Sequence, residues 1–411
     1  MKKNRVLSLF SGAGGMDLGF IKEGFEIVWA NDFFKEAVDT YKKNIGEHIF
    51  FGDITKIPSS DLPDDIDVVI GGFPCQGFSI ANKNRGMHDE RNFLYKEMLR
   101  IINDKRPKIF VAENVKGLLG MENGKIIELI KNDFEEIGYH VEYKLLNAAE
   151  YGVPQARERV IIIGSRISKN ISFPTITHTT LQDGLSVGLI PAVTTEEAIG
   201  WLANIRTSDY PIKHGEKIIY NHQASDNVHD KFWGRLHEVN QHDICDYLKE
   251  WRKKSGWSTK KIDEHFGYAH TAGHWFRKDN NSGSIPKPSD WWELKKILGF
   301  DDTYDEQVTV IVEKEIKFEQ SLRITNWDRP SDTITATSPE IHVNKMRRLS
   351  ARECAILQTF PDDFVFTGIL GKIYTQIGNA VPVLLAEKIA NQIKFMLDDS
   401  FFVPRAVSSM Y

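Results

Sequence analysis

The chain has 411 residues, 52 of them Lys or Arg against 57 Asp or Glu, giving a net charge of −5. That excludes a polycation that coats nucleic acid without selection, but leaves room for a local basic face. Hydrophobic content is 41% and charged content 27%, the composition of a globular protein long enough for two full cores.

No apolar run reaches membrane-spanning length, and the basic start of the chain meets glycines too soon for a signal peptide. Three cysteines, Cys75, Cys245 and Cys354, make neither a disulfide framework nor a metal-ligand pattern. The reading is a cytoplasmic protein with no metal and no membrane partner.

Arg5–Phe10 reads as a short apolar strand. Ser11–Phe20, S-G-A-G-G-M-D-L-G-F, then turns into a helix. Small residues let a ligand approach the backbone there, and free N–H groups at a helix start attract polar or anionic groups. Gly12, Gly14, Gly15 and Gly19 do not have the dinucleotide spacing, so a tight turn without a ligand stays open at this point. Glu26–Ala30 is a second strand, ended by Asn31 and Asp32, where an acid can accept from ribose hydroxyls. Phe33 beside it can cover an adenine ring. Ile49–Phe51 is a third strand, and Asp53 at its tip can accept from an adenine amine. Either acid can equally cap a helix. Together, beside a glycine turn, they point to an adenosine pocket.

Asp67–Ile70 is a β-branched run and reads as a buried fourth strand. G-G-F-P-C-Q-G-F-S follows at once. It places Cys75 at the carboxyl end of a strand, where open α/β sheets bind ligands. A free cysteine is usually buried and structural. The Gly, Pro and Gln around this one mark an exposed turn and favour a nucleophile. Ile80–Asn92 is polar, basic and aperiodic, and reads as a loop that closes on the site. Phe93–Asn103 is helical. Lys108–Ala112 is a fifth strand with Glu113 at its tip, placed to act as an acid on the substrate of the thiol. Asn123–Gly138 is an amphipathic helix, and His140–Asn147 and Arg159–Gly164 are further strands. Gln155, Arg157 and Arg159 stand at alternate positions. In an extended chain they share one face and can grip phosphate and base edges, a surface salt-bridge patch being the competing reading.

From Phe173 to about Leu322 this alternation stops. Asp246–Lys254, Ser258–Phe266 (with Ser258 as N-cap), Ala272–Arg277 and Ser289–Leu298 read as short helices resembling a helix-turn-helix insert. Residues 240–300 carry eleven Lys or Arg against eight Asp or Glu, a local positive excess. The insert is therefore expected to touch DNA through His274, Arg277 and Lys278, while a helical insert that only packs is the alternative. His222, His229, His237 and His242 are irregularly spaced and read as surface or DNA-facing groups, not metal ligands. Cys354, on a helix after Ser350, reads as core, and Val383–Met396 as a final amphipathic helix.

The motifs F-S-G-A-G-G, N-D, G-D-I, G-G-F-P-C-Q-G-F-S, E-N-V, Q-A-R-E-R, R-R-L-S-A-R-E and Q-I-G-N-A-V-P, in this order, closely resemble the DNA (cytosine-5) methyltransferase family of the bacterial restriction–modification type. The resemblance covers 4–166 and 323–396. It implies an α/β fold, a doubly wound mixed sheet of the S-adenosylmethionine-dependent methyltransferase type, with a variable target-recognition domain. The expected division is 1–172 for the first catalytic part, 173–322 for recognition, and 323–411 for the end of the recognition domain and the return to the catalytic one. The resemblance makes S-adenosyl-L-methionine the methyl donor, in a pocket shaped by Phe10, Gly12, Gly14, Phe33 and Pro74. Asp32 would bind the ribose and Asp53 the adenine, and Asn379 would close the methionine side. Cys75 would add to C6 of a cytosine turned out of its helix. Glu113 would hold the proton at N3, and Arg157 would contact the ring oxygen. Arg157 or Arg159 would help to lower the thiol pKa. Gln76, Ser79, Arg85 and Gln155 join Arg277 and Lys278 as expected DNA contacts. The implied partners are double-stranded DNA and a cognate restriction endonuclease, for a monomer in a prokaryotic cytoplasm. Two alternatives stay open: a tRNA cytosine-5 methyltransferase, and a catalytically inactive DNA-binding regulator. About 150 residues between Phe173 and Leu322 exceed the compact recognition region of tRNA-modifying relatives. Intact Cys75, Glu113 and Arg157 speak against the second.

Overall fold

A computed structural model of the protein describes residues 3–74, 94–180, 188–225, 241–267, 288–306, 324–337, 339–344 and 346–399. Its frame is a seven-stranded sheet. The strands are β1 (Arg5–Leu9), β2 (Glu26–Asp32), β3 (Ile49–Phe51), β4 (Val68–Gly71), β5 (Ile109–Val115), β6 (His140–Asn147) and β7 (Glu158–Ser165). They lie in the order β3-β2-β1-β4-β5-β7-β6. β7 runs antiparallel to both its neighbours, and the other pairings are parallel. The strand order reverses between β1 and β4, so the switch point falls where the glycine turn and the Pro-Cys segment leave the sheet.

The β-branched runs form strands because both faces of the sheet are covered. Successive residues of β4 and β5 are fully buried and face opposite layers: Val68, Ile70, Ile109 and Val111 on one side, Val69, Phe110 and Ala112 on the other. The first layer carries α1 (Gly15–Lys22) and α2 (Lys35–Asn44), through Met16, Phe20, Val38 and Tyr41. The second carries α3 (Leu94–Lys105) and α4 (Lys125–Glu136). Their buried residues Met98, Ile101 and Ile102, and Ile127, Ile130 and Phe134, recur at helical spacing.

Further along lie two short pairs of strands, β8 (His178–Thr179) with β9 (Ile190–Pro191), and β10 (Ile212–His214) with β11 (Lys217–Ile219). The remaining helices are α5 (Thr195–Ile199), α6 (Gln241–Ser255), α7 (Thr259–Phe266), α8 (Pro288–Leu298), α9 (Ala351–Leu357), α10 (Leu370–Asn379) and α11 (Val383–Asp399). α11 returns to the first layer and packs on α1. A Cβ on Gly19 would stand 2.5 Å from Ala386 Cβ and Glu387 N, so glycine is what lets these two helices approach so closely.

The chain forms two compact units. One comprises Met1–Gln223, Asn326–Ser338 and Ser350–Tyr411; the other comprises Ala224–Thr325 and Pro339–Leu349. In the second, α6, α7 and α8 enclose Leu248, Ile262, Trp291, Leu294 and Phe300, and Ser258 caps α7 by accepting from Lys261 N at 3.2 Å. The expected helix Ala272–Arg277 lies outside the described residues. In the first unit, a reciprocal Ser350–Glu353 cap starts α9, and Cys354 is core.

His222 corrects an expectation. It is not a surface group: it is fully buried, with Nδ1 2.9 Å from Ser350 Oγ and Nε2 3.1 Å from Ile205 O. Both ring nitrogens have partners inside the fold, so the ring loses nothing by leaving water. His229, His237 and the side chain of His242 lie outside the described residues. Among those residues no helix is long and apolar enough to cross a membrane, and no group of three or more His, Cys, Asp or Glu is arranged to hold a metal ion.

Candidate active site

The site is built on the carboxyl ends of β1 to β5 and on β7. After β1 the backbone turns through Phe10, at φ 54°, and Gly12, at φ 56°. A left-handed turn at a phenylalanine is costly, and such strain collects at functional sites. A Cβ on Gly12 would meet nothing within 4 Å, so the turn borders open space. Gly14, at φ 90°, lies instead against Tyr41 and Ile45, and a Cβ on Gly15 would stand 2.5 Å from Val381 O. Ala380 and Val381, which follow α10, thus lie against the glycine turn, and Asn379 at the end of α10 is exposed.

Asp32 ends β2 and is buried. Its Oδ2 accepts from Gly12 N and its Oδ1 from Phe34 N, both at 2.8 Å. Burial pushes its carboxyl up, while these backbone bonds oppose the rise. Each oxygen keeps a lone pair for a ribose hydroxyl. Phe33 beside it is 70% exposed, an apolar ring left without cover. Asp53 is exposed and caps a 3₁₀ turn at Ile54–Lys56. It accepts from Thr55 N at 3.0 Å and Thr55 Oγ1 at 2.9 Å, both through Oδ1. The cap and the adenine reading are compatible, since the two bonds use one oxygen of two. Open turn, acceptor pair and bare aromatic ring fit an adenosine-bearing group. Phe10, Gly12, Asp32, Phe33 and Asp53 would hold it.

On the other side of the switch point, Pro74 closes the described part of the β4 exit. Cys75, Gln76, Ser79 and Arg85 lie outside the described residues, as do Arg277 and Lys278. What surrounds the exit is defined. β5 runs three residues beyond the expected end, through Glu113, Asn114 and Val115, where it pairs only with β7. Asn114 Nδ2 donates to Phe73 O at 2.9 Å, and so ties β5 to the backbone just before Pro74. A Cβ on Gly72 would stand 3.0 Å from Glu113 Oε2. Two motif glycines thus act by absence: Gly72 leaves room for the carboxylate, and Gly15 for the closing segment. Glu113 pairs with Arg159, Oε1 to Nε, at 2.7 Å.

The three alternating side chains do not share one face, which corrects the expectation for Gln155 and Arg157. β7 begins only at Glu158, so the extended geometry does not reach back to them. Gln155 is fully buried. Its Nε2 donates to Leu357 O and Gln358 Oε1, and its Oε1 accepts from Ile334 N at 3.0 Å. An amide spent inside the fold is not a phosphate grip. Arg157 is also buried, with Nη1 donating to Ile334 O at 3.0 Å and Nη2 to Gly378 O at 2.8 Å. Burial first, then the neighbouring charge of Arg159, drives its pKa well down. A guanidinium begins so high that it keeps its proton at neutral pH. Its two terminal nitrogens are committed to backbone, so it sets the position of Gly378 and hence of Asn379. Arg159 alone of the three reaches Glu113.

Sequence reasoning missed two polar residues here. Asn114 gave a signal: a polar residue inside a β-branched run has to be hydrogen-bonded if the strand continues. Asp17, fully buried within the glycine-turn motif, gave the same signal in α1.

A sheet in this order, with a single reversed strand and a glycine turn at its switch point, defines the Rossmann-like methyltransferase fold. The chain belongs to the C-5 cytosine-specific DNA methylase family, whose profile matches residues 4–395. It is similar to the Type II methyltransferase M.NgoFVII of Neisseria gonorrhoeae, with 34% identity over 406 residues, covering 97% of this chain and 88% of that one. It is likewise similar to the Type II methyltransferase M.BspRI of Lysinibacillus sphaericus, with 35% identity, covering 95% of this chain and 81% of that one. A solved Escherichia coli protein, described as a prophage-encoded DNA modification methyltransferase, shares the fold with a TM-score of 0.58. At 22% identity, that match covers 96% of this chain and all of the other. The protein is thus a DNA (cytosine-5) methyltransferase, and its family uses S-adenosyl-L-methionine and acts on DNA.

Proposed function

We propose that this enzyme methylates C5 of one cytosine within a specific sequence of duplex DNA, through a covalent bond between Cys75 and C6. In this reading it protects host DNA in the prokaryotic cytoplasm from a cognate endonuclease. C5 of cytosine is a poor nucleophile. Addition of a thiolate to C6 pushes the ring electrons toward C5, which then forms the bond to the methyl group. S-adenosyl-L-methionine supplies that methyl group, made electrophilic by the positive sulfur. Loss of the C5 proton to a base expels the thiolate and restores the ring. Charge that builds on the ring during addition needs a partner at N3 and at the ring oxygen. Glu113 would hold the N3 proton. Arg159 would steady the oxygen, since Arg157 has its terminal nitrogens on backbone carbonyls. A base edge inside a duplex is out of reach, so the cytosine must be turned out, at a cost of a few kcal/mol.

The unit built around α6–α8 would carry target recognition, with the 240–300 insert contributing to it. The observation that carries the chemistry is the Glu113–Arg159 pair beside the β4 exit that leads to Cys75. The test uses duplex DNA with 5-fluorocytosine at the site found by bisulfite sequencing. The expected result is a complex that survives denaturing gel electrophoresis, and none with Cys75→Ser. Full methyl incorporation by Cys75→Ser would overturn the reading.

A further inference from the structure

A buried polar chain beneath the glycine turn is left unused by the methyl-transfer reading. Asp17, in the first turn of α1, has no exposed surface. Its Oδ1 accepts from Ser8 Oγ and its Oδ2 from Tyr41 OH, both at 2.7 Å. Ser8 Oγ accepts in turn from Ser11 Oγ at 2.8 Å. Ser11 is the anchor of the turn. Its N donates to Asn31 O, and its carbonyl accepts from Gly14 N, both at 2.9 Å. Gly12 follows and donates to Asp32 Oδ2. Strands β1 and β2 and helices α1 and α2 are thus tied to one carboxylate.

The direction of this chain depends on the charge of Asp17. A hydroxyl has one proton to give. An ionised carboxylate only accepts, so it claims the protons of both Ser8 and Tyr41. Ser8 is left as an acceptor at 2.8 Å for the Ser11 proton, whose other acceptor, the Ser8 carbonyl, lies farther away at 3.2 Å. A protonated or amide group at position 17 donates on one side; donated to Ser8 Oγ, that proton frees the Ser8 hydroxyl to turn toward Ser11, and the constraint on Ser11 is lost.

We propose that Asp17 is a positioning residue for the S-adenosyl-L-methionine site, holding the Ser11–Gly12 turn through Ser8 so that Gly12 N–H stays on Asp32. This rests on the reading of that turn as the cofactor site. Other groups bear on it from each neighbouring element. Burial pushes the Asp17 carboxyl up to about 6, the Ser8 and Tyr41 bonds oppose this, and the charge of Asp32 on β2 adds to it. Tyr41 on α2 is driven further up by burial and by Asp17, so it stays a donor. His48 Nε2 lies 3.1 Å from Tyr41 OH, and burial lowers its pKa. On α11, Glu387 is paired with Lys22 at 3.3 Å.

The test is calorimetric binding of S-adenosyl-L-methionine and S-adenosyl-L-homocysteine to the full chain across pH 5.5–8, with duplex affinity, melting temperature and steady-state kinetics alongside. Wild type is expected to lose affinity as pH falls through about 6. Asp17→Asn is expected to bind about tenfold more weakly at neutral pH, the scale of one hydrogen bond to a charged group, with a smaller further loss on acidification than wild type shows. Its KM for the methyl donor rises while kcat at saturation and duplex affinity hold. Tyr41→Phe removes a bond that holds the Asp17 carboxyl down, so it shifts the wild-type loss to higher pH. Asp17→Asn with wild-type affinity would overturn the proposal. So would a loss of cofactor affinity that tracks equal losses of duplex affinity and melting temperature, or a Tyr41→Phe profile identical to wild type. Wild type that binds neither ligand refutes the cofactor-site reading instead.

Discussion

Arg159 on β7 reaches diagonally across the ladder to Glu113 on β5, whose direct partner in register is Ile161. Residues two apart on a strand share a face, which is why the pair can form. Each side chain keeps only 11% of its surface exposed. Solvent therefore screens the pair weakly, and removing one member leaves a nearly buried charge on the other. Arg159→Ala is expected to lower the single-turnover methylation rate by about 10²–10³-fold, the usual scale for losing one group that steadies developing charge. Affinity for S-adenosyl-L-methionine should hold. Rapid-quench methylation of duplex DNA, with calorimetry for the cofactor, measures both.

Arg157, two residues earlier, should behave in the opposite way. Its fork joins Ile334 O to Gly378 O inside the first unit, and a lysine cannot reproduce two divergent donors in one plane. Arg157→Lys is expected to destabilise the fold by about 2–4 kcal/mol, from two lost charge-assisted bonds in a buried setting. Urea unfolding of the two variants side by side should show the larger midpoint shift for Arg157→Lys.

Gly12 and Gly15 separate space for a ligand from space for the chain. Gly12→Ala meets no atom, and its left-handed φ costs about 1–2 kcal/mol. Gly15→Ala drives a methyl against Val381 O, where backbone has to move, at about 1–3 kcal/mol. Both should weaken binding of S-adenosyl-L-methionine. Only Gly15→Ala should also make the segment around Asn379 more open to hydrogen exchange, which mass spectrometry of the Leu370–Asn379 helix and the residues after it reads directly.

What was legible in the sequence followed from short-range physics. Asp67–Ile70 reads as a strand because a β-branched run of that length buries well on both faces. Asp32 and Glu113 stand out because each follows a strand at the ligand-binding end of the sheet, beside the glycine turn and the Pro-Cys segment. What was not legible depended on where the strand begins. The alternation of Gln155, Arg157 and Arg159 implied a shared face only if the chain were already extended there, and β7 starts one residue after Arg157. His222 looked like a surface histidine because its partners, Ser350 and Ile205, are far away in sequence. Gly378 gave no warning that a Cβ would stand 2.4 Å from Thr335 C, because the contact joins two segments that no local pattern connects.

Asp17 makes a prediction about stability that is independent of catalysis. Its carboxyl is raised from an unperturbed 3.8 to about 6, chiefly by burial. The folded state therefore binds a proton more tightly than the unfolded chain between these values, and stability falls as pH rises through this window. The stabilisation by protonation is fully present below about 4 and gone above about 6. The difference between these two values corresponds to about 3 kcal/mol. Other carboxylates titrate in the same range, so the test is the difference between two proteins. Asp17→Asn has no proton to take up there. Its unfolding free energy relative to wild type should rise by about 3 kcal/mol from pH 4 to pH 6.5 and then stay level. A difference that stays flat across that range would mean that the carboxylate is not desolvated as its surroundings require.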